Sequence, residues 1–199
     1  MSWNDKFSEL AKQLVEHKPA ICPTEQPDGR IDLEIAELRT DGFAGERLAY
    51  ALAVKAGLHL LNESLDRSHT LSQDIHTSTG SYWHGIMHRM EGDYGNAKYW
   101  FRMVGSHPVY PELFEQAGGY MRSETEMVAS STLKKLLDRL LAGNGWDPYL
   151  FVDLVEQCVT SPRDEAAERL LKHVQWLEMR LLLQYSYSRS GGGDELLTN

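Results

Sequence analysis

Residues 163–187 read RDEAAERLLKHVQWLEMRLLLQYSY, and their apolar side chains recur every three or four positions, with Leu170, Val174, Leu177 and Leu181 on one stripe. That spacing is the period of an amphipathic helix; a strand, whose side chains alternate between two faces, does not produce it. The same period runs through every other long segment, and no convincing run of alternating β-branched residues interrupts it. The expected fold class is therefore all-α, a multi-helix globular domain over residues 1–188, with 189–199 as a disordered tail because SGGGD-type composition has little to bury.

A first helix is expected over about 3–17, where Trp3, Phe7, Leu10 and Leu14 share a face, followed by a loop through KPAICPTEQPDG. The Ala-rich segment 43–62 is apolar on several sides and reads as a helix buried on more than one of them. Ser64 is placed to cap a short helix through LDRSHTLSQDI, and Thr79 or Ser81 to cap the next. Helices are expected at about 80–91 and 94–104, then a short helical turn opened by Pro108 and Pro111. Three more helices follow, in STLKKLLDRLL, DPYLFVDLVEQC and the long C-terminal segment.

With 199 residues and 42% hydrophobic content the chain can bury a full core. Twenty basic against 29 acidic residues give a net charge of −9, which argues against nucleic acid or an anionic membrane as the main partner. The N-terminal stretch is polar and amphipathic, and no apolar run is long enough to span a bilayer. Cys22 and Cys158 are far apart in sequence and form no Cys-x-x-Cys pair, so neither a disulfide framework nor a thiolate zinc site is indicated. These features fit a cytoplasmic, reducing setting.

The densest chemistry lies in YWHGIMHRMEGDYGNAKYWFRMVGSHP, residues 82–108. Gly92-Asp93 makes a turn between two helical segments, and the stretch resembles a single tetratricopeptide hairpin: Gly85 falls at the small position of the first helix, Tyr94 just after the turn, Ala97 and Phe101 at the packing positions of the second. It departs from that pattern at His84, where a Leu is usual, and at His88, where a Tyr is usual. Pro108 comes one place early. Stepping the period in either direction finds no second copy. With AGLHLLNESLDRSHTLSQ before it and WDPYLFVDLVEQC after it, the stretch also resembles an uncharacterised family of bacterial and fungal proteins with an H-R-x-E-G-D-Y-x-N-A-K-Y-W core, over roughly residues 43–185. That resemblance implies a class and a boundary, and no mechanism.

Within the first of these helices, Trp83, Ile86, Met87 and Met90 form an apolar stripe, while His84, His88 and Glu91 form a second, polar one about 110° away. Three readings of the polar stripe stand side by side. It can be a structural network in which His88 pairs with Glu91 and Arg89 meets a carboxylate elsewhere. It can be a divalent metal site, because histidines four apart on a helix reach one ion and Glu91 offers a carboxylate one turn on. Gly85 stands where His-Glu-x-x-His proteases carry their base, which removes that enzyme class. Helical bundles of the DinB-like kind add a distant histidine to such a pair, and His69 is the candidate for that role. The third reading is metal-free acid–base chemistry by a histidine with a carboxylate orienter.

Asn96, Lys98, Tyr99, Trp100 and His107 are further ligand-binding candidates, Tyr99, Trp100 and Met103 because the packing face of their helix is already supplied by Tyr94, Ala97, Phe101 and Val104. His17, His59 and His173 follow no pattern. The favoured function is a cytoplasmic protein that binds a small ligand or a protein partner through a polar His/Glu pocket. The alternative is a metal-dependent enzyme, of hydrolase type, using His84, His88 and Glu91 or His69.

Overall fold

The computed structural model describes residues 2–25 and 28–193, and among them there are ten α-helices and no strand. In chain order these are α1 Trp3–Val15, α2 Gly29–Ala36, α3 Gly45–Leu61, α4 Leu65–Ser72, α5 Ser78–Glu91, α6 Tyr94–Val104, α7 Tyr110–Glu124, α8 Ser131–Leu141, α9 Pro148–Thr160 and α10 Glu165–Ser190, with a 3₁₀ turn at Thr125–Met127. None of the described helices is long and apolar enough to cross a membrane.

Helix α5 lies at the centre. Every residue from Thr79 to Met90 is buried, because α3, α4 and α6 pack around it and α10 closes the remaining side through side-chain hydrogen bonds. Its apolar stripe of Trp83, Ile86, Met87 and Met90 is withdrawn from water, as is most of α3. Most of the polar side chains buried along α5 are paired. Trp83 Nε1 donates to Ser186 Oγ at 3.2 Å and Tyr82 Oη to Glu178 Oε1 at 2.9 Å. The Arg89 guanidinium donates to Gln175 Oε1 at 3.3 Å and to Glu178 Oε2. This ion pair is wholly enclosed, with Arg89 lying over the rings of Phe101 and Phe151.

Helices α5 and α6 run back along one another from a turn in which Gly92 adopts φ +88°, a conformation glycine reaches without a Cβ clash. The Asp93 carboxylate then caps α6 by accepting from Asn96 N at 3.1 Å. Gly85 has no side chain to hold the helices apart, and Phe101 fills the space.

Several local expectations are corrected. The first helix ends at Val15, and α2 was not foreseen. Asp28 caps α2 by accepting from Arg30 N and Ile31 N. Ser64 does sit at the start of α4, but its hydroxyl donates to Asp32 Oδ2 at 2.8 Å and makes no cap bond. The cap of α5 is Thr77, which accepts from Gly80 N at 3.1 Å; Thr79 is buried and Ser81 lies inside the helix. The proline turn at 108–111 opens a full 15-residue helix, α7. On α10, Leu170, Val174 and Leu177 are buried as expected, while Leu181 is partly exposed in a cleft between α7 and α10. Residues 189 and 190, expected in the tail, complete α10, which Gly191 caps at φ +101°; residues 194–199 of the expected tail lie outside the described residues.

Candidate metal centre

His84 and His88 lie one turn apart on α5, so their rings project from the same side of the helix, with Nε2 of each 3.0 Å from the other. Helix α4 crosses beside them and presents His69, whose ring centroid is 4.8 Å from that of His84 and 5.6 Å from that of His88. One nitrogen from each of the three rings lies within 4.8 Å of the others. His84 and His88 are buried and His69 is half-buried, at the edge of the site.

The rings are held from behind. Nδ1 of His88 lies 3.2 Å from Glu91 Oε2, on the far side of the ring from Nε2. Nδ1 of His84 lies 3.1 Å from Ser72 Oγ, and the face of the same ring packs on Trp100 with centroids 4.1 Å apart. Burial pushes the His84 imidazole down to about 3, helped by the neighbouring imidazoles of His88 and His69. Burial also lowers His88, though Glu91 opposes it. Both rings are therefore neutral near pH 7 and keep a lone pair on one nitrogen.

Two proton arrangements are open to the cluster, and only the first places a proton in the 3.0 Å Nε2–Nε2 contact. In both, His88 Nδ1–H donates to Glu91, leaving the Nε2 lone pair facing His84. In the first, His84 Nε2–H donates to that lone pair and the Ser72 hydroxyl donates to His84 Nδ1. In the second, His84 Nδ1–H donates to Ser72 Oγ, whose own proton turns to the His69 carbonyl oxygen 3.4 Å away. The 3.0 Å contact then holds two facing lone pairs, an arrangement that a bound cation would stabilise, and Ser72 makes the exchange without leaving a donor unpaired.

The set fits a metal ion. Two nitrogens bound about 2.0–2.1 Å from a tetrahedral zinc stand ~3.4 Å apart, against 3.0 Å between His84 and His88. The third nitrogen, on half-buried His69, lies within 4.8 Å of the other two, so the His69 side chain would have to move inward to reach that spacing. A carboxylate or other oxygen behind a ligating imidazole is the usual way such rings are oriented. Glu91 faces Nδ1 of His88, on the side of that ring away from His84, where it can orient the ring.

Other expected site residues are placed differently. Asn96 belongs to the α6 cap, its Nδ2 donating to Asp93 Oδ2 at 2.7 Å. Lys98 ties α6 to α9, with Nζ 2.6 Å from Asp153 Oδ1. Trp100 lines the histidine site, whereas Tyr99 and Met103 are about half exposed. His107 stands among Tyr82, Tyr110 and Tyr185, its Nδ1 accepting from Val109 N and its Nε2–H donating to Thr79 Oγ1 at 3.1 Å. It is held in the scaffold.

Two features escaped sequence reasoning. Ser72, three positions after His69 on α4, was not singled out in the sequence. Asp32 is buried and accepts from His59 Nδ1 at 2.9 Å, Asn62 Nδ2 at 3.0 Å and Ser64 Oγ at 2.8 Å, with Arg67 Nε 3.3 Å away, locking α2 to α3 and α4. His59, patternless in sequence, is part of that lock. The one available signal was an acidic residue on the otherwise apolar Ile31–Ile35 face. No protein-family model, curated protein or solved structure matches this chain.

Proposed function

We propose that the protein binds a divalent transition metal ion through His69, His84 and His88, and that it works as a metal-dependent protein of hydrolytic type. The observation that supports this most is the convergence of three imidazole nitrogens within 4.8 Å, with two of the rings held from behind by Ser72 and Glu91. Three neutral nitrogen ligands and no ligand carboxylate favour zinc, copper, nickel or iron over magnesium or calcium, which prefer oxygen. Three protein ligands also leave a position for water, the arrangement of catalytic zinc sites. An ion there supplies Lewis acidity and a more acidic bound water. The residues of the chain hold it, orient the rings through Ser72 and Glu91, and cover the inner side with Trp100.

The test is elemental analysis of protein purified without chelator or affinity tag, combined with melting of wild type and His88→Ala. The expected outcome is near-stoichiometric metal in wild type and none in the variant. Added zinc should raise the wild-type Tm alone, since binding to the folded state is what adds stability. Should the stripe be a structural network only, His88→Ala will cost about 1–3 kcal/mol with or without chelator. Wild type that carries no metal and whose melting ignores zinc, copper, nickel, iron and manganese overturns the reading.

A further inference from the structure

Cys22 and Cys158 are 136 positions apart in sequence, yet both line one cleft of about 240 Å³ with Ala20, Ser161 and Asp164. Cys22 lies in the irregular stretch that follows α1, and Cys158 lies on α9. Both are free thiols. Cys158 is also close enough to feel the charge of a Cys22 thiolate, so the two side chains are neighbours across the cleft.

The two thiols are unequal. Cys22 is half-buried, its Sγ 3.8 Å from Tyr94 Oη and 3.9 Å from the Arg89 carbonyl oxygen. Burial raises its thiol above the ordinary value, an effect that the Tyr94 hydroxyl and the charge of Arg89 offset only in part. Cys158 is buried, and burial together with Glu168 and Asp164 pushes it up to about 11. The more accessible sulfur, with a hydroxyl poised to donate to its anion, is the one suited to attack first.

We propose that Cys22 and Cys158 form an oxidisable dithiol that reacts with a hydroperoxide, Cys22 as the attacking thiol and Cys158 as the resolving one. The Cys22 thiolate attacks the peroxide: an S–O bond forms, the O–O bond breaks, and the departing oxygen takes a proton and leaves as alcohol or water. The sulfenic acid on Cys22 is then attacked by the Cys158 sulfur. The S–S bond forms, the S–O bond breaks, and hydroxide leaves as water with the proton given up by Cys158. The two thiols lose two electrons and the peroxide gains them. The product ties the segment after α1 to α9 across the end of the α5–α6 pair, and a thiol reductant reverses it.

The test is treatment of the metal-free, folded wild type with hydrogen peroxide, followed by intact-mass measurement and peptide mapping with and without reductant. The expected result is a monomer lighter by two hydrogens, a mapped Cys22–Cys158 peptide pair, a higher Tm, and reversal by reductant. In Cys158→Ser the mark should stop on Cys22 as a dimedone-trappable sulfenic acid, and in Cys22→Ser no trapped species should form at the same dose. Two thiols still free in peroxide-treated wild type, bridges only between molecules, or trapping on Cys158 in preference to Cys22 each overturn the proposal. The outcome is independent of whether the histidine centre binds metal.

Discussion

Arg89 and Glu178 illustrate how much a single residue can carry here. Both side chains are fully enclosed, and the carboxylate is completed by Tyr82. Removing one charge leaves the other desolvated and unpaired, which costs more than the pair itself contributes. Arg89→Met should therefore destabilise the protein by about 3–5 kcal/mol in denaturant melts, and the double variant Arg89→Met/Glu178→Leu should recover a large part of that loss. A double variant as unstable as the single one would show that the network has a role beyond neutralising its own charges. The residue scale was partly legible in sequence: the polar stripe of His84, His88 and Glu91 follows from helical geometry, and a carboxylate partner for Arg89 belonged to one of the three readings of that stripe. Which carboxylate could not be read, because Glu178 lies 89 positions away on a helix that offers other acidic residues.

Among the elements, the contact of α3 with α5 depends on a missing side chain. A Cβ on Gly57 would sit 2.5 Å from Trp83 Cζ2, and the indole cannot easily retreat because its Nε1 is bonded to Ser186. Alanine is the better helix former by ~1 kcal/mol, so propensity alone expects Gly57→Ala to stabilise. Overpacking a close-packed contact costs about 1–3 kcal/mol, and the net expectation is a lower midpoint in urea unfolding. A raised midpoint would mean that α3 and α5 separate freely. Helix existence and type were readable from periodicity at this scale, whereas caps were less so. Thr79 and Ser81 were the expected caps, and Thr77, of the same chemistry and two positions earlier, takes the role while Thr79 is drawn inward to His107.

For the whole molecule, the buried imidazoles set an acid limit. Burial holds His107 down to about 4 and also lowers His59, more strongly than Asp32 raises it. Both are thus neutral in the folded chain, while in the unfolded chain they protonate near pH 6.5. The unfolded state binds the extra protons, so their contribution to stability is full above pH ~6.5 and is lost as pH falls toward ~4. With chelator present, Tm should fall clearly between pH 7.5 and 5, and His107→Gln should shrink that fall; a flat profile in wild type would refute the linkage. Periodicity, composition and charge determined on their own that the chain is all-α, where most helices lie, and that two histidines and a glutamate share one flank of α5, since these depend on residues a few positions apart. Bringing His69 beside that flank, turning Ser72 and Glu91 behind the rings, burying Asp32 among His59, Asn62 and Ser64, and gathering Cys22 and Cys158 into one cleft were decided only by tertiary structure. Each needs helices distant in sequence to cross at one place, and that crossing is set by how all their buried faces pack together, which no local pattern encodes.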